Sequence, residues 1–431
     1  MDTTHLGAGS TVDESEILSR IPGRIPGRLF AALVVLVLLG LGGFAQGLTS
    51  APQRAWQAYL VNFLFFTGLA AAGVIFGVVM QLAKGHWGKP LLRIAQGFGL
   101  FLPVSYVLFL LLFFGSDYIF PWIENPVNHE GHPLPGSWYS VNALWTRGAI
   151  FLLLLYIACF AFIYYSLRPD MAAATDHLQG WRRRLTAWIS RGWRGDEDEA
   201  ARSRRILARL SPILMLGYVI ILSGMAIDLI MSLEPGWISV LFPAYFFVGA
   251  WLSALAGLAV MAALFRRYMG LDYFASNQWH DLGKLIFAFS IFWAYLWFSQ
   301  YLVIWYGNLP RETLFVKTRT EAPWTLLSIA FFVMIFALPF VLLLPQKIKT
   351  VPPYLASVSG IILVGFWLER FNMVVPSIWH AGSVPLGLTE LSITLGFLGL
   401  FGLCYAVYAS TFPLVPIRES LIVGKARTGP Y

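Results

Sequence analysis

The chain has 431 residues, 58% hydrophobic and only 12% charged, against about 25% charged in ordinary soluble domains. This composition excludes a soluble enzyme and describes a polytopic membrane protein. The formal net charge of +8 is confined to particular loops, which points to membrane topology and away from nucleic-acid binding. Cys159 and Cys404 both lie in apolar runs, as small core residues and not as a set of iron–sulfur or zinc ligands.

Residues 1–28 form a polar tail carrying Arg20, Arg24 and Arg28, and lead into a first apolar run at 29–48 within the segment 29–54. A secretory signal also has a basic front and an apolar middle. Nine more apolar runs follow here, so the first is expected to be a membrane helix. The others are 55–82, 90–115, 139–167, 206–233, 237–265, 283–307, 323–344, 353–375 and 388–412. Each reaches the ~20 residues needed to cross the hydrocarbon, and none alternates as barrel strands do. The sequence therefore predicts an all-α fold of ten transmembrane helices, with a tail at 413–431.

Lys and Arg number 30 in all. Twenty-four lie in the tails, in the loops on the same side and in the segment 168–209, whereas Arg54, Arg311, Lys317, Arg319 and Arg370 lie toward the other side and Arg147 lies within a helix. The asymmetry predicts both termini in the cytoplasm. The insertion 168–205 carries Trp181-Arg-Arg-Arg184, Trp188 and Trp193, then the acidic run Asp196-Glu-Asp-Glu199. Tryptophans among arginines suit a helix at headgroup level; a solvated loop that only enforces topology is the other reading. On the outer side the loop 116–138 holds Asp117, Glu124, His129, Glu130 and His132 without any Lys or Arg. Two histidines are a weak metal signal, and a solvent-exposed loop accounts for them.

A weak repeat joins Trp56-x8-Phe65-Phe66-x-Gly68 to Trp237-x8-Phe246-Phe247-x-Gly249, at an offset of 181 residues. It would match helices two to five with six to nine in the same orientation, unlike the inverted repeats of several ion-coupled transporters.

The seven histidines all miss the middle of a span, where a membrane haem would need its axial ligands. The chain is expected to hold no redox centre, with electrons carried by a quinol or by partners. What remains are polar groups in apolar helices. Asp228 sits near the end of helix five, with Arg147 as its partner by depth. Asn62 carries an amide able to bond a quinone carbonyl, and Asp117 closes helix three. Glu369 and Arg370 lie in helix nine, helix seven supplies Tyr295, Ser299, Gln300 and Tyr301, and Glu390 opens helix ten. An ionisable residue at membrane depth costs roughly 2.5–3.5 kcal/mol on insertion scales, so each is either paired or used. A nearby arginine favours a carboxylate and desolvation opposes it; a proton relay needs the two in balance. The candidate proton path is Asp228, Glu369, Arg147, Arg370, Asp117, Tyr295 and Tyr301, and the candidate quinone contacts are Asn62 and Gln300.

The segments Asp228-Leu-Ile-Met-Ser-Leu-Glu-Pro-Gly-Trp237 and Phe292-Trp-Ala-Tyr295-Leu-Trp-Phe-Ser-Gln-Tyr301-Leu-Val-Ile-Trp-Tyr-Gly-Asn-Leu-Pro-Arg-Glu312 resemble signatures of NrfD-type membrane subunits. More closely, they resemble the integral subunits of alternative complex III, a quinol:cytochrome c oxidoreductase. Length, ten spans and the late motifs at 340–349 and Phe412-Pro-Leu-Val-Pro416 are most similar to the smaller of its two such subunits. The resemblance covers most of the chain beyond Trp56. It implies two four-helix bundles, 55–233 and 237–375, related by a pseudo-twofold along the membrane normal and flanked by the first and tenth helices. It also implies a bacterial inner membrane, a quinol such as menaquinol, and partners: a larger sister membrane subunit, a periplasmic iron–sulfur protein and c-type cytochromes that hold the haem and iron–sulfur centres. The sister subunit is the one usually credited with quinol oxidation, which leaves proton conduction to this chain. An independent ion-coupled transporter and a structural anchor are the readings that compete with it.

Overall fold

A computed structural model describes residues 24–128, 131–175, 178–193, 195–269 and 276–416. Most of the N-terminal tail, His129, Glu130 and the C-terminal residues from 417 onward lie outside the described residues. Ten helices are long and apolar enough to cross a membrane: α1 (Gly27–Ser50), α2 (Pro52–Leu82), α3 (His86–Ile119), α4 (Val141–Met171), α5 (Glu197–Leu233), α6 (Phe242–Arg267), α7 (Ser276–Gly307), α8 (Thr325–Leu342), α9 (Pro352–Ser377) and α10 (Leu388–Ala409). Among the described residues the only β-type pairing is one isolated bridge, Val127 to Pro133. In hydrocarbon a helix satisfies its own backbone, which is why ten apolar runs become ten helices. The ends that carry Lys84, Lys89, Arg266 and Lys347 define a basic face, and the other ends define the opposite face.

The boundaries depart from the hydropathy reading in three instructive places. α5 begins near the acidic run and not at 206, because acids at the first turn favour a helix N-terminus. α4 continues helical to Thr175, a short helix Gly180–Ile189 follows, and α5 then starts, so most of the basic insertion is folded. α6 begins at Phe242, not at Trp237. Pro235 and Gly236, the latter at φ +104°, turn the chain, and Trp237 is buried flat against Phe315 with ring centroids 3.6 Å apart. The repeated tryptophan is therefore helical at Trp56 and non-helical at Trp237, although Gly68 and Ala250 do bring the two repeated segments into contact across α2 and α6.

α2 is the axis of the molecule. In its most apolar stretch 94% of residues are buried inside the protein, against 6% for α1. It packs on α3, α5, α6, α9 and α10. Elsewhere α4 packs on α5, α6 on α7 and α9, and α8 on α9. Helices in lipid gain little from apolar burial as such; close packing through small residues and hydrogen bonds decides their partners. The α1–α10 pair shows this. A Cβ built on Gly40 would stand 2.3 Å from Gly396 Cα, so only glycines permit that approach. α8 carries a π-helical stretch, Val333–Ala337, packed where Gly365 of α9 leaves room for Ile335.

Candidate functional site

Asp228 stands about five residues, ~7.5 Å along the axis, before the end of α5. Arg147 stands at the matching depth of α4. Its Nε donates to Asp228 Oδ2 at 2.9 Å and its Nη2 to Oδ1 at 2.7 Å, the fork-on-fork geometry that makes arginine–carboxylate pairs strong and directional. The Trp138 indole covers the guanidinium at 4.0 Å. Both carboxylate oxygens and one face of the cation are thus engaged, and the pair ties α4 to α5 at the opposite face. Just outside the span, Tyr139 has its phenol pKa raised, first by burial and then by the negative charge of Asp228. Asp117 is exposed at the end of α3 and lines an open cleft with Arg54, Glu124 and His380; it makes no ion pair among the described residues and does not join Asp228.

Glu369 and Arg370 lie about eight residues, ~12 Å, before the end of α9. Their side chains are 1% and 2% exposed. Adjacent helical residues diverge by about 100°, yet these two meet: Arg370 Nη1 lies 2.9 Å from Glu369 Oε2. The arginine is held from the other side by α6, where its Nη2 donates to the Phe246 carbonyl at 3.2 Å and its guanidinium lies 4.2 Å from the Phe246 ring centroid. Gly249 makes this possible, since a Cβ there would come within 3.1 Å of Arg370 Nη2. The contact to Glu369 is not a fork. Neither Oε1 nor Oε2 accepts a well-aligned hydrogen bond from the protein, although the Tyr245 hydroxyl and the Trp293 indole lie within reach of the carboxylate as donors.

That carboxylate borders a small cavity of about 80 Å³ lined also by Tyr245, Gln300, Tyr301, Arg319 and Asn372. Asn372 Oδ1 is likewise buried without a donor. At ~30 Å³ per water the space admits two or three molecules, and unpartnered acceptors are what such waters need. On the side of the opposite face the short helix Pro310–Thr320 forms part of the cavity wall. From it Arg319 donates to the carbonyls of Asn372 (2.9 Å), Met373 (2.8 Å) and Phe315 (2.9 Å) and to Ser377 Oγ (2.6 Å). These include carbonyls at the end of α9 that have no intrahelical partner, and a cation there suits the helix dipole. Burial lowers the Arg319 pKa to about 9 against the favourable charge of Glu234, so it remains cationic at neutral pH.

The structure thus joins Glu369, Arg370, Gln300 and Tyr301 at one site and keeps the others apart. Tyr295 is 60% exposed on the flank of α7, stacked on Phe292, so it does not reach the carboxylate one helix away. Asn62 lies about 15 Å from the end of α2, deeper than hydropathy suggests because the helix starts at Pro52. Its Nδ2 donates to Ala58 O at 2.8 Å and Thr394 Oγ1 at 3.0 Å, and its Oδ1 accepts from Trp367 Nε1 at 3.0 Å. Both amide protons are committed to protein, and the residue locks α2 to α9 and α10.

Several polar contacts were not legible in the sequence. Arg93 and Asp170 pair at 2.6 Å within a network of Gln96 and Ser166. Thr67, Ser105 and Tyr156 form a hydroxyl chain at 2.7 and 2.9 Å between α2, α3 and α4. Arg168 bonds Glu199 and the Ile189 carbonyl, fastening the basic insertion. Arg54 forks onto Glu390 at 2.9 and 2.8 Å. The exposed His132 donates its backbone N–H to Asn128 Oδ1 at 2.9 Å. Among the described residues no three His, Cys, Asp or Glu side chains converge. Compared with known protein-family models and with curated proteins, the chain matches none.

Proposed function

We propose that this chain is a membrane subunit of a quinol-oxidising, cytochrome c-reducing or related electron-transfer complex, in which partner subunits hold the redox centres and this chain carries part of a proton path. The observation that carries the reading is Glu369: an acid buried in a span, with no well-aligned hydrogen bond to its carboxylate, on a cavity of water size. Arg370 and the dry surroundings act on it in opposite senses, the balance a relay group requires. In this reading a proton enters through water in the cavity beside Tyr301 and Gln300, rests on Glu369, and leaves by the same face when the neighbouring subunit turns over. Arg370 fixes the carboxylate in place. The resemblance of the helix-seven and Asp228–Trp237 segments to alternative complex III supplies the partners: a larger sister membrane subunit, an iron–sulfur protein and c-type cytochromes. In this reading the membrane is a bacterial inner membrane, and the excess of Lys and Arg on the basic side supports a cytoplasmic position for that face and both termini. The fully engaged Asp228 favours an anchoring duty for α4 and α5 beside the path.

The test is purification of the tagged chain from its own membranes in mild detergent. Subunits bearing c-type haem and an iron–sulfur cluster should co-purify in fixed ratio, and the preparation should reduce cytochrome c with quinol. A chain that purifies alone and drives ion-dependent uptake in liposomes would overturn the reading.

A further inference from the structure

A large cavity lies along the flank of the described chain, away from both acids. It has a volume of about 1190 Å³ and lies between the α1–α10 pair and the side formed by α2, α6 and α9. Because Gly40 and Gly396 hold α1 tightly to α10, α1 cannot spread sideways to cover α6, and a groove stays open to the bilayer. Its walls are apolar, with Leu33, Phe66, Met261 and Leu363 among them. It runs the full depth of α10, about 33 Å for 22 residues, which is the thickness of a hydrocarbon core.

The two ends of the groove differ in charge. At the opposite face Glu390 is neutralised by the Arg54 fork. At the basic face Arg24 and Ser410 line the groove, and Arg182 of the short helix Gly180–Ile189 reaches Ser410 Oγ through Nη2 at 3.0 Å. The Arg182 Nε is buried and has no acceptor. Among the described residues neither Arg24 nor Arg182 has a carboxylate within ion-pair distance. Trp181, half exposed, lies beside Arg182 at 4.8 Å, as an aromatic does at the headgroup level. Cations without a carboxylate partner among the described residues, at one end of an apolar groove and at interface depth, suit a ligand with one anionic head and long apolar chains.

We propose that this groove is a specific site for one anionic phospholipid, independent of the proton-path reading. Its phosphate would accept hydrogen bonds from Arg182 and Arg24, with the Ser410 hydroxyl alongside, and its acyl chains would fill the half of the groove nearer the basic face, since one leaflet spans only about 15 Å of hydrocarbon. The lipid would then couple the basic insertion to the transmembrane body.

The experiment is native mass spectrometry of the full-length chain, delipidated in detergent and titrated with phosphatidylglycerol or phosphatidylcholine. One phosphatidylglycerol should be retained per chain, in preference to phosphatidylcholine. The Arg24→Gln, Arg182→Gln double variant should retain it about 30-fold more weakly, equivalent to roughly 1 kcal/mol per basic residue at a membrane surface. Arg183→Gln, Arg184→Gln, exposed on the same short helix, should retain it as the parent does, and Val260→Trp in the groove wall should weaken both lipids. Equal retention of the two lipids by the parent, a measurement that needs no variant, would overturn the proposal. So would equal losses in the two arginine pairs, which signify diffuse attraction, or an isoprenoid quinone that holds the groove against phosphatidylglycerol.

Discussion

Two of the acid–arginine pairs in the opposite-face half of this protein, Arg147–Asp228 and Arg370–Glu369, are built differently. Arg147 and Asp228 come from two helices and meet end to end, so a planar guanidinium can present two parallel donors to two oxygens. Glu369 and Arg370 are neighbours on one helix. Their backbones fix the angle between them, the fork cannot form, and one 2.9 Å contact remains. The first arrangement closes the hydrogen bonding of the carboxylate; the second leaves it open toward a small cavity. Proximity of opposite charges does not by itself distinguish a clamp from an exchangeable acid. The number of donors already committed to the carboxylate does.

The largest expected effect is on stability. Arg370→Leu strands a carboxylate that is 1% exposed and should cost about 3–5 kcal/mol, the range for breaking a buried pair from one side. Arg147→Leu, whose partner lies close to the membrane surface, should cost less. Thermal unfolding in detergent, followed by tryptophan fluorescence, would break the comparison if the two losses were equal. Next comes proton transfer. In the purified complex Glu369→Gln should slow the proton-coupled step about 100-fold, the low end of what a positioned acid–base group contributes, whereas Asp228→Asn should leave it near the parent. Val316→Phe, which fills the cavity while leaving the ion pair intact, should reproduce part of the Glu369→Gln loss. If Asp228→Asn proved the more damaging change, the two roles would be reversed. The smallest effect is electrostatic. Asp228→Asn removes the charge that opposes the Tyr139 phenolate, so that phenol should ionise at lower pH than in the parent while still above its ordinary value through burial. Fluorine NMR of 3-fluorotyrosine at position 139 reads this directly, and an unchanged titration would mean that the clamp's charge does not reach the loop.

The sequence reveals the ten spans because apolar length is an additive property. It places Asp228 with Arg147 because depth along a helix can be counted. Trp237 misleads, because a turn at Pro235-Gly236 followed by a stacked aromatic has the same composition as a helix start. Arg93 and Arg168 look like ordinary flanking charges, and their burial depends on Asp170 and Glu199 returning from distant positions in the chain. Arg319 reads as a loop cation, and only the docking of its helix on the end of α9 shows that it caps carbonyls. The Glu369 cavity combines α6, α7, α9 and the short helix; Gln300 and Tyr301 were recognisable as polar residues, but their convergence on one acid was not. Tyr295 shows the limit of the same pattern, since it sits a turn away from Gln300 and Tyr301 and faces outward.

The central position of α2 has a consequence for how the protein tolerates change. A membrane helix normally offers lipid one permissive stripe, so its substitution record rises and falls with the helical turn. α2 has almost no such stripe, with 94% of its most apolar stretch enclosed. In a saturating mutational scan residues 55–78, all buried, should form an unbroken band of intolerance without helical periodicity. α1 should accept nearly every apolar change except along the line of Gly40, Gly43 and Gly47, where Gly396, Ser392, Thr389 and Ala55 press close. Two neighbouring helices of similar hydropathy would thus have opposite mutational histories: one free to drift, the other held by its surroundings on every side.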